Sequence, residues 1–153
     1  MKKLRFAIFG NTYQAKKSAC IEQLLGILLE RGASLLIDRQ FYEYLTDKLG
    51  ILVTPEALIE GNDFHADFVI SMGGDGTFLE AARRVGDKGM PILGINMGRL
   101  GFLSDYQAED IASAIDHIYN DTYRIEERTV LMVEKDGDDL QGYPYALNEV
   151  AVL

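Results

Sequence analysis

Short apolar runs alternate with longer segments of helical spacing along most of this chain. The short runs predict buried parallel strands, which are covered on both faces and therefore lack polar alternation. Strands are predicted at residues 4–9, 34–37, 68–72 and 90–95, and helices at residues 14–31, 41–49, 77–85 and 107–119. This order predicts an α/β domain with an open, mostly parallel sheet and flanking helices.

The segment from residue 50 to residue 66 has no clear periodicity. Thr54-Pro55-Glu56 predicts the start of a short helix, with threonine as the cap and proline at the first position, and Gly61 would end it.

From Tyr123 the pattern changes to partial alternation over residues 123–135, a turn at 136–139 and a strand-like run from 143 to 153. This pattern predicts an antiparallel hairpin rather than another β-α unit. We therefore expect an α/β domain over residues 1–120 and the start of a second, β-type domain over residues 121–153. The last run ends while still apolar, so we expect either a fragment cut inside a larger protein or a partner that covers this edge.

Composition narrows the class of protein. The 153 residues are 48% hydrophobic, and no apolar run approaches the roughly 20 residues that cross a bilayer. No signal-peptide cleavage site follows Met1-Lys2-Lys3, which predicts a cytoplasmic protein without a membrane partner. The net charge of −9 argues against a nucleic-acid partner. The single cysteine, Cys20, excludes an internal disulfide and a cysteine-based zinc site.

The candidate chemistry lies where the run 68–72 ends, in the sequence Gly73-Gly74-Asp75-Gly76-Thr77. Glycines at a strand end allow positive φ angles and let a ligand lie against the backbone. Thr77 and Glu80 have the spacing of a capping box, which predicts a helix start at this point. A helix N-terminus after a glycine turn is an anion site, because free N–H groups and the helix dipole face outward.

Asp75 is unexpected in an anion site. A carboxylate beside a polyphosphate is tolerable if a metal ion lies between them, or if the carboxylate handles a hydroxyl proton, and both roles indicate phosphoryl transfer. The alternative is an ordinary glycine-rich turn in which Asp75 is a surface helix cap.

A second glycine-punctuated loop follows the next predicted strand, and an Asn-Glu pair comes later. Together with the first motif, these segments resemble the NAD kinase family. The residues that carry the resemblance are Gly73-Gly74-Asp75-Gly76-Thr77, then Asn96-x-Gly98-x-Leu100-Gly101-Phe102-Leu103, then Asn148-Glu149. The first motif alone is shared with diacylglycerol and sphingosine kinases, whereas the second loop is more selective. The resemblance covers essentially the whole chain, as the family's N-terminal domain plus the first strands of its all-β C-terminal domain.

The resemblance implies a role for each matched position. Asp75 corresponds to the proton acceptor for the ribose 2′-hydroxyl, and Gly76 would lie against the nucleotide. Phe102 would pack near the adenine, although a core aromatic is an equal alternative. Asn148 and Glu149 would hydrogen-bond the nucleotide, unless they are simply a solvated strand entry. Gly73, Gly74, Thr77, Asn96 and Gly98 would complete the nucleotide-binding loops.

The implied activity is transfer of a phosphoryl group from ATP, or another donor, to the 2′-hydroxyl of NAD, giving NADP. Mg²⁺ would bind through the phosphates, without a metal site made by the protein alone. A lipid kinase and a nucleotide-binding module without catalysis are the alternatives. We expect a homo-oligomer in the full-length protein and negligible activity from residues 1–153 alone.

Overall fold

The computed structural model describes residues 2–12, 18–98, 103, 106–132 and 145–147. The chain divides into two compact units, Met1–Tyr123 and Arg124–Leu153. The domain boundary drawn from the sequence, at residue 120, stays a prediction.

The first unit is built on a six-stranded sheet in which all paired neighbours run parallel. Its strands are β1 Arg5–Gly10, β2 Ser34–Asp38, β3 Ala57–Ile59, β4 Phe68–Gly73, β5 Ile92–Asn96 and β6 Tyr106–Gln107. Its helices are α1 Ser18–Glu30, α2 Arg39–Asp47, α3 Asp75–Val85 and α4 Ile111–Tyr119, with a 3₁₀ turn at Ala108–Asp110. The strand order is β3-β2-β1-β4-β5-β6. The predicted open parallel sheet with flanking helices is confirmed.

Helices cover both faces of this sheet. Side chains of α1, α2 and α4 form one apolar cluster with Phe6, Ile8 and Ile70 of the strands. Helix α3 forms a second cluster on the opposite face, where Ala81 and Val85 join Ala7, Phe9 and Val69. The apolar residues that recur at helical spacing in α1 and α4 are buried: Ile21, Leu24, Leu25 and Leu28 in α1, and Ile111, Ala114, Ile115 and Ile118 in α4. Across the described part of the chain, no helix is both long and apolar enough to span a membrane.

The short helix predicted after Thr54 is wrong. The segment instead forms the edge strand β3, whose Leu58 lies opposite Ile37 of β2. Just before it, the N–H of Glu56 donates to the carbonyl oxygen of Leu35 at 2.7 Å. The local cap signal is overridden because β2 presents an edge of unpaired backbone groups, and pairing with that edge satisfies them. Strand β6, which precedes the last helix, was also not predicted.

In the second unit, β7 Leu131–Met132 pairs antiparallel with β8 Tyr145–Ala146. The predicted hairpin is confirmed at this pairing. The predicted turn at 136–139 and the apolar run at 148–153 lie outside the described residues.

Candidate active site

The direction in which successive strands are added to the sheet reverses between β1 and β4. From β1 the chain builds outward through β2 and β3, whereas from β4 it builds the other way through β5 and β6. In open α/β sheets, ligands bind in the crevice outside the carboxyl ends of the strands at such a reversal. The loop that begins at Gly73, at the carboxyl end of β4, therefore lies beside the crevice in which sheets of this kind bind ligands.

Two backbone hydrogen bonds hold the neighbouring loops together at this edge. The N–H of Asn11, just after β1, donates to the carbonyl oxygen of Met72 at 3.0 Å. The N–H of Met97, just after β5, donates to the carbonyl oxygen of Gly73 at 3.0 Å. Nothing in the sequence pattern singles out Asn11, because only the order of the strands brings the first loop next to the fourth strand.

Helix α3 begins earlier than its sequence signature predicts. Gly74 is the cap residue and has no side chain with which to cap the helix, and Asp75 is the first residue of the helix. The predicted capping box of Thr77 and Glu80 is therefore wrong, because both residues lie inside the helix. Glu80 instead accepts two hydrogen bonds from Arg83, at 2.6 and 3.0 Å, which hold the pKa of its carboxyl below the usual value.

The glycines of this loop do not use positive φ angles, contrary to expectation. The described glycines with positive φ lie elsewhere, at Gly32, Gly50, Gly86 and Gly89. Gly73 is required by packing, since a Cβ there would lie 2.4 Å from Thr77 Oγ1 and 3.2 Å from Asn11 Cβ. At Gly74 and Gly76, a Cβ would have no atom of the described residues within 4 Å, apart from its chain neighbours and the helix's own backbone. These two glycines therefore leave open space at the start of the helix.

The second glycine loop meets the first at the Asp75 carboxylate. Asn96 is only 2% exposed, and its Oδ1 accepts a hydrogen bond from the N–H of Gly98 at 2.9 Å, which shapes the turn after β5. Further along the loop, the N–H of Leu103 donates to Asp75 Oδ1 at 3.0 Å. Asp75 is half-buried. One oxygen of the carboxylate is therefore oriented by the backbone of the other loop.

The structure brings most of the predicted site residues to one edge of the sheet. The group comprises Gly73, Gly74, Asp75, Gly76, Thr77, Asn96 and Gly98. Phe102, Asn148 and Glu149 lie outside the described residues, and their roles stay predictions.

Metal-binding side chains do not cluster in this part of the molecule. Among the described residues there is no group of three or more His, Cys, Asp or Glu side chains that could hold a metal ion. Mg²⁺ commonly binds through one or two carboxylates together with substrate phosphates and water. Asp75, the first residue of α3, supplies one carboxylate of the kind that such a site uses.

A doubly wound parallel sheet with a glycine loop and a helix N-terminus at its switch point is the architecture of α/β nucleotide-binding domains. Residues 6–123 match the family described as the ATP-NAD kinase N-terminal domain. The chain belongs to this family, as the resemblance predicted.

Curated relatives support the assignment over nearly the whole chain. The chain is 52% identical over 150 residues to an NAD kinase of Bacteroides fragilis, covering 98% of this chain and 52% of the relative. It is 39% identical over 153 residues to an NAD kinase of Porphyromonas gingivalis, covering 100% of this chain and 52% of the relative. An NAD kinase of Methanothermobacter thermautotrophicus is 35% identical over 153 residues, and the alignment covers 98% of this chain and 50% of the relative. The chain thus spans about half the length of these relatives.

A solved structure shares the fold. The crystal structure of yeast NADH kinase complexed with NADH superposes with a TM-score of 0.77 at 16% sequence identity, covering 97% of this chain and 48% of that chain.

Proposed function

We propose that the protein acts as an NAD kinase, which transfers a phosphoryl group from ATP or another phosphate donor to the adenosine-ribose 2′-hydroxyl of NAD and yields NADP. One observation carries the proposal. A carboxylate, Asp75, stands at the glycine-capped N-terminus of α3, at the switch point of the sheet, and accepts a hydrogen bond from the neighbouring loop. Family membership supports the same assignment.

The start of α3 provides the anion-binding part of this site. The first N–H groups of a helix have no partner within the helix, and the helix dipole favours negative charge beside them. Gly74 and Gly76 leave the space in front of this turn open, so phosphate and ribose groups can approach the backbone. Local binding of this kind is needed because the chain carries a net charge of −9.

Asp75 handles the proton in the proposed reaction. As the ribose 2′-oxygen forms its bond to phosphorus, the bond from phosphorus to the leaving ADP oxygen breaks, and the hydroxyl proton passes to the Asp75 carboxylate. A carboxylate is too weak a base to deprotonate a free alcohol fully, so proton transfer accompanies formation of the bond. Mg²⁺, bound through the phosphates, would neutralise their charge.

The remaining residues keep the roles that the resemblance implies. Phe102 packs near the adenine, and Asn148 and Glu149 hydrogen-bond the nucleotide. Asn96 and Gly98 form the turn that follows β5. A cytoplasmic location and a homo-oligomeric full-length protein belong to the same proposal.

The decisive experiment is Asp75→Asn in the natural full-length protein. Asparagine keeps the shape of the side chain but cannot accept the proton, so NAD affinity measured by calorimetry should be retained. Turnover should fall by about 10²- to 10⁴-fold, the usual contribution of a general base. Asp67→Asn is the matched control. Asp67 is an exposed aspartate just before β4, at the end of the strands opposite to the proposed site.

An Asp75→Asn enzyme that turns over at the unmutated rate would remove Asp75 from the mechanism. The same assay separates the alternatives. Phosphorylation of diacylglycerol rather than NAD would indicate a lipid kinase, and NAD binding without any turnover by the natural protein would indicate a binding module.

A further inference from the structure

The two glycine loops are joined by a hydrogen bond that ends on the proposed base. The N–H of Leu103 donates to Asp75 Oδ1 at 3.0 Å, across 28 positions of the sequence. The donor is a backbone group, so the identity of the side chain at position 103 does not reveal it.

We propose that the Leu103 N–H is a positioning group for Asp75, so that the second glycine loop sets the orientation of the carboxylate for proton transfer. This inference rests on the proposed function. Asp75 is the first residue of α3 and is only half-buried, so packing alone does not fix its carboxylate. A hydrogen bond to one carboxylate oxygen restricts rotation of the group, and orientation of reacting groups contributes strongly to rate.

The donor is itself held in place from both ends of its loop. At the start, Met97 is 3% exposed and its N–H bonds to the carbonyl oxygen of Gly73. At the other end, the Leu103 side chain is 6% exposed, which anchors its backbone. Next to Met97, the N–H of Gly98 donates to Asn96 Oδ1. The Leu103 N–H is therefore presented to Asp75 by a buried residue.

The kinetic test replaces the Leu103 amide by an ester in the natural full-length protein, through incorporation of the α-hydroxy analogue of leucine at that codon. This change removes the N–H and leaves the side chain in place. We expect kcat to fall roughly 10-fold, as suits the loss of a hydrogen bond to a charged group, while the KM for NAD stays within about twofold. The reference is protein in which leucine itself is incorporated at the same codon.

A control variant tests whether losing any backbone hydrogen bond to a carboxylate lowers kcat, wherever the bond lies. The N–H of Arg5 donates to Asp67 Oδ2 at 2.8 Å, and Asp67→Ala removes that acceptor far along the strands from the proposed site. Its kcat should be unchanged.

A measurement independent of activity tests the bond itself. In Asp75→Ala, the amide proton of Leu103 should exchange with solvent roughly 10-fold faster, because its acceptor is gone. The amide of Gly98, whose acceptor is Asn96 Oδ1, should keep its exchange rate.

Three results would overturn the positioning role while leaving the proposed function intact. These are an unchanged kcat in the ester, a rise in KM without a fall in kcat, or an unchanged exchange rate at Leu103 in Asp75→Ala. If instead the leucine-containing reference protein does not phosphorylate NAD, the proposed function fails, and the positioning role fails with it.

Discussion

Gly73 is the glycine of the first loop that packing should make irreplaceable. A Cβ at this position would lie 2.4 Å from Thr77 Oγ1 and 2.9 Å from Thr77 Cβ. Rotation of the Thr77 side chain can move Oγ1 but not Cβ, so the backbone must also shift in Gly73→Ala. The same substitution at Gly74 meets no atom of the described part of the chain within 4 Å, and the φ of −112° there suits alanine.

The expected size of the effect follows from two opposing contributions. Overpacking in a well-filled site destabilises by about 1–3 kcal/mol. Replacing glycine by alanine stabilises by about 0.4–1 kcal/mol through the unfolded chain, where the native φ and ψ suit alanine. Gly73→Ala should therefore lower the free energy of unfolding by roughly 1–2 kcal/mol. Gly74→Ala should leave that free energy unchanged or raise it slightly.

Urea unfolding followed by far-UV circular dichroism measures both variants, since the sequence contains no tryptophan for fluorescence. A double-mutant cycle identifies the cause. Thr77→Ala removes Oγ1, so Gly73→Ala should be less destabilising in that background, by about 1 kcal/mol, within the usual range for residues in contact. Equal midpoints for Gly73→Ala and Gly74→Ala, or no coupling between positions 73 and 77, would refute the steric reasoning.

Three further predictions concern binding, an ion pair and pH. Gly74→Val should leave the fold intact but sharply reduce the affinity for NAD and ATP, and unchanged binding in calorimetry would show that the loop does not approach the nucleotide. Arg84→Met should destabilise the protein by roughly 3 kcal/mol, because Arg84 is 8% exposed and is the ion-pair partner of Asp38 at 3.3 Å. The exposed Arg39→Met should change the free energy of unfolding by less than about 1 kcal/mol in the same urea assay. Burial raises the pKa of the Tyr119 hydroxyl. The stability that this group contributes is therefore present below pH about 10 and should be lost as the pH rises further. Tyr119→Phe should make the free energy of unfolding fall less steeply in unfolding curves recorded from about pH 8 to about pH 12.

The sequence by itself determined the alternation of strands and helices and the position of the candidate chemistry. Periodicity is a local property, so the wholly buried strand β4 is visible as a mostly apolar run and the inward face of α1 as a helical repeat. Asp75 was identified for the same kind of reason, since its glycine neighbours and the second loop form a recognisable local pattern.

Other features depended on contacts between segments distant in the chain. The cap signal at Thr54 failed because the exposed edge of β2 offered hydrogen bonds that the isolated segment lacks. The reason for a glycine at position 73 is the space taken by Thr77 and Asn11, not a special backbone angle.

The strand order and the bond between Leu103 and Asp75 likewise exist only in the folded chain. A backbone donor has no signature in the amino-acid sequence, because every residue except proline carries an N–H. Tertiary structure alone decides which of these groups meets the carboxylate.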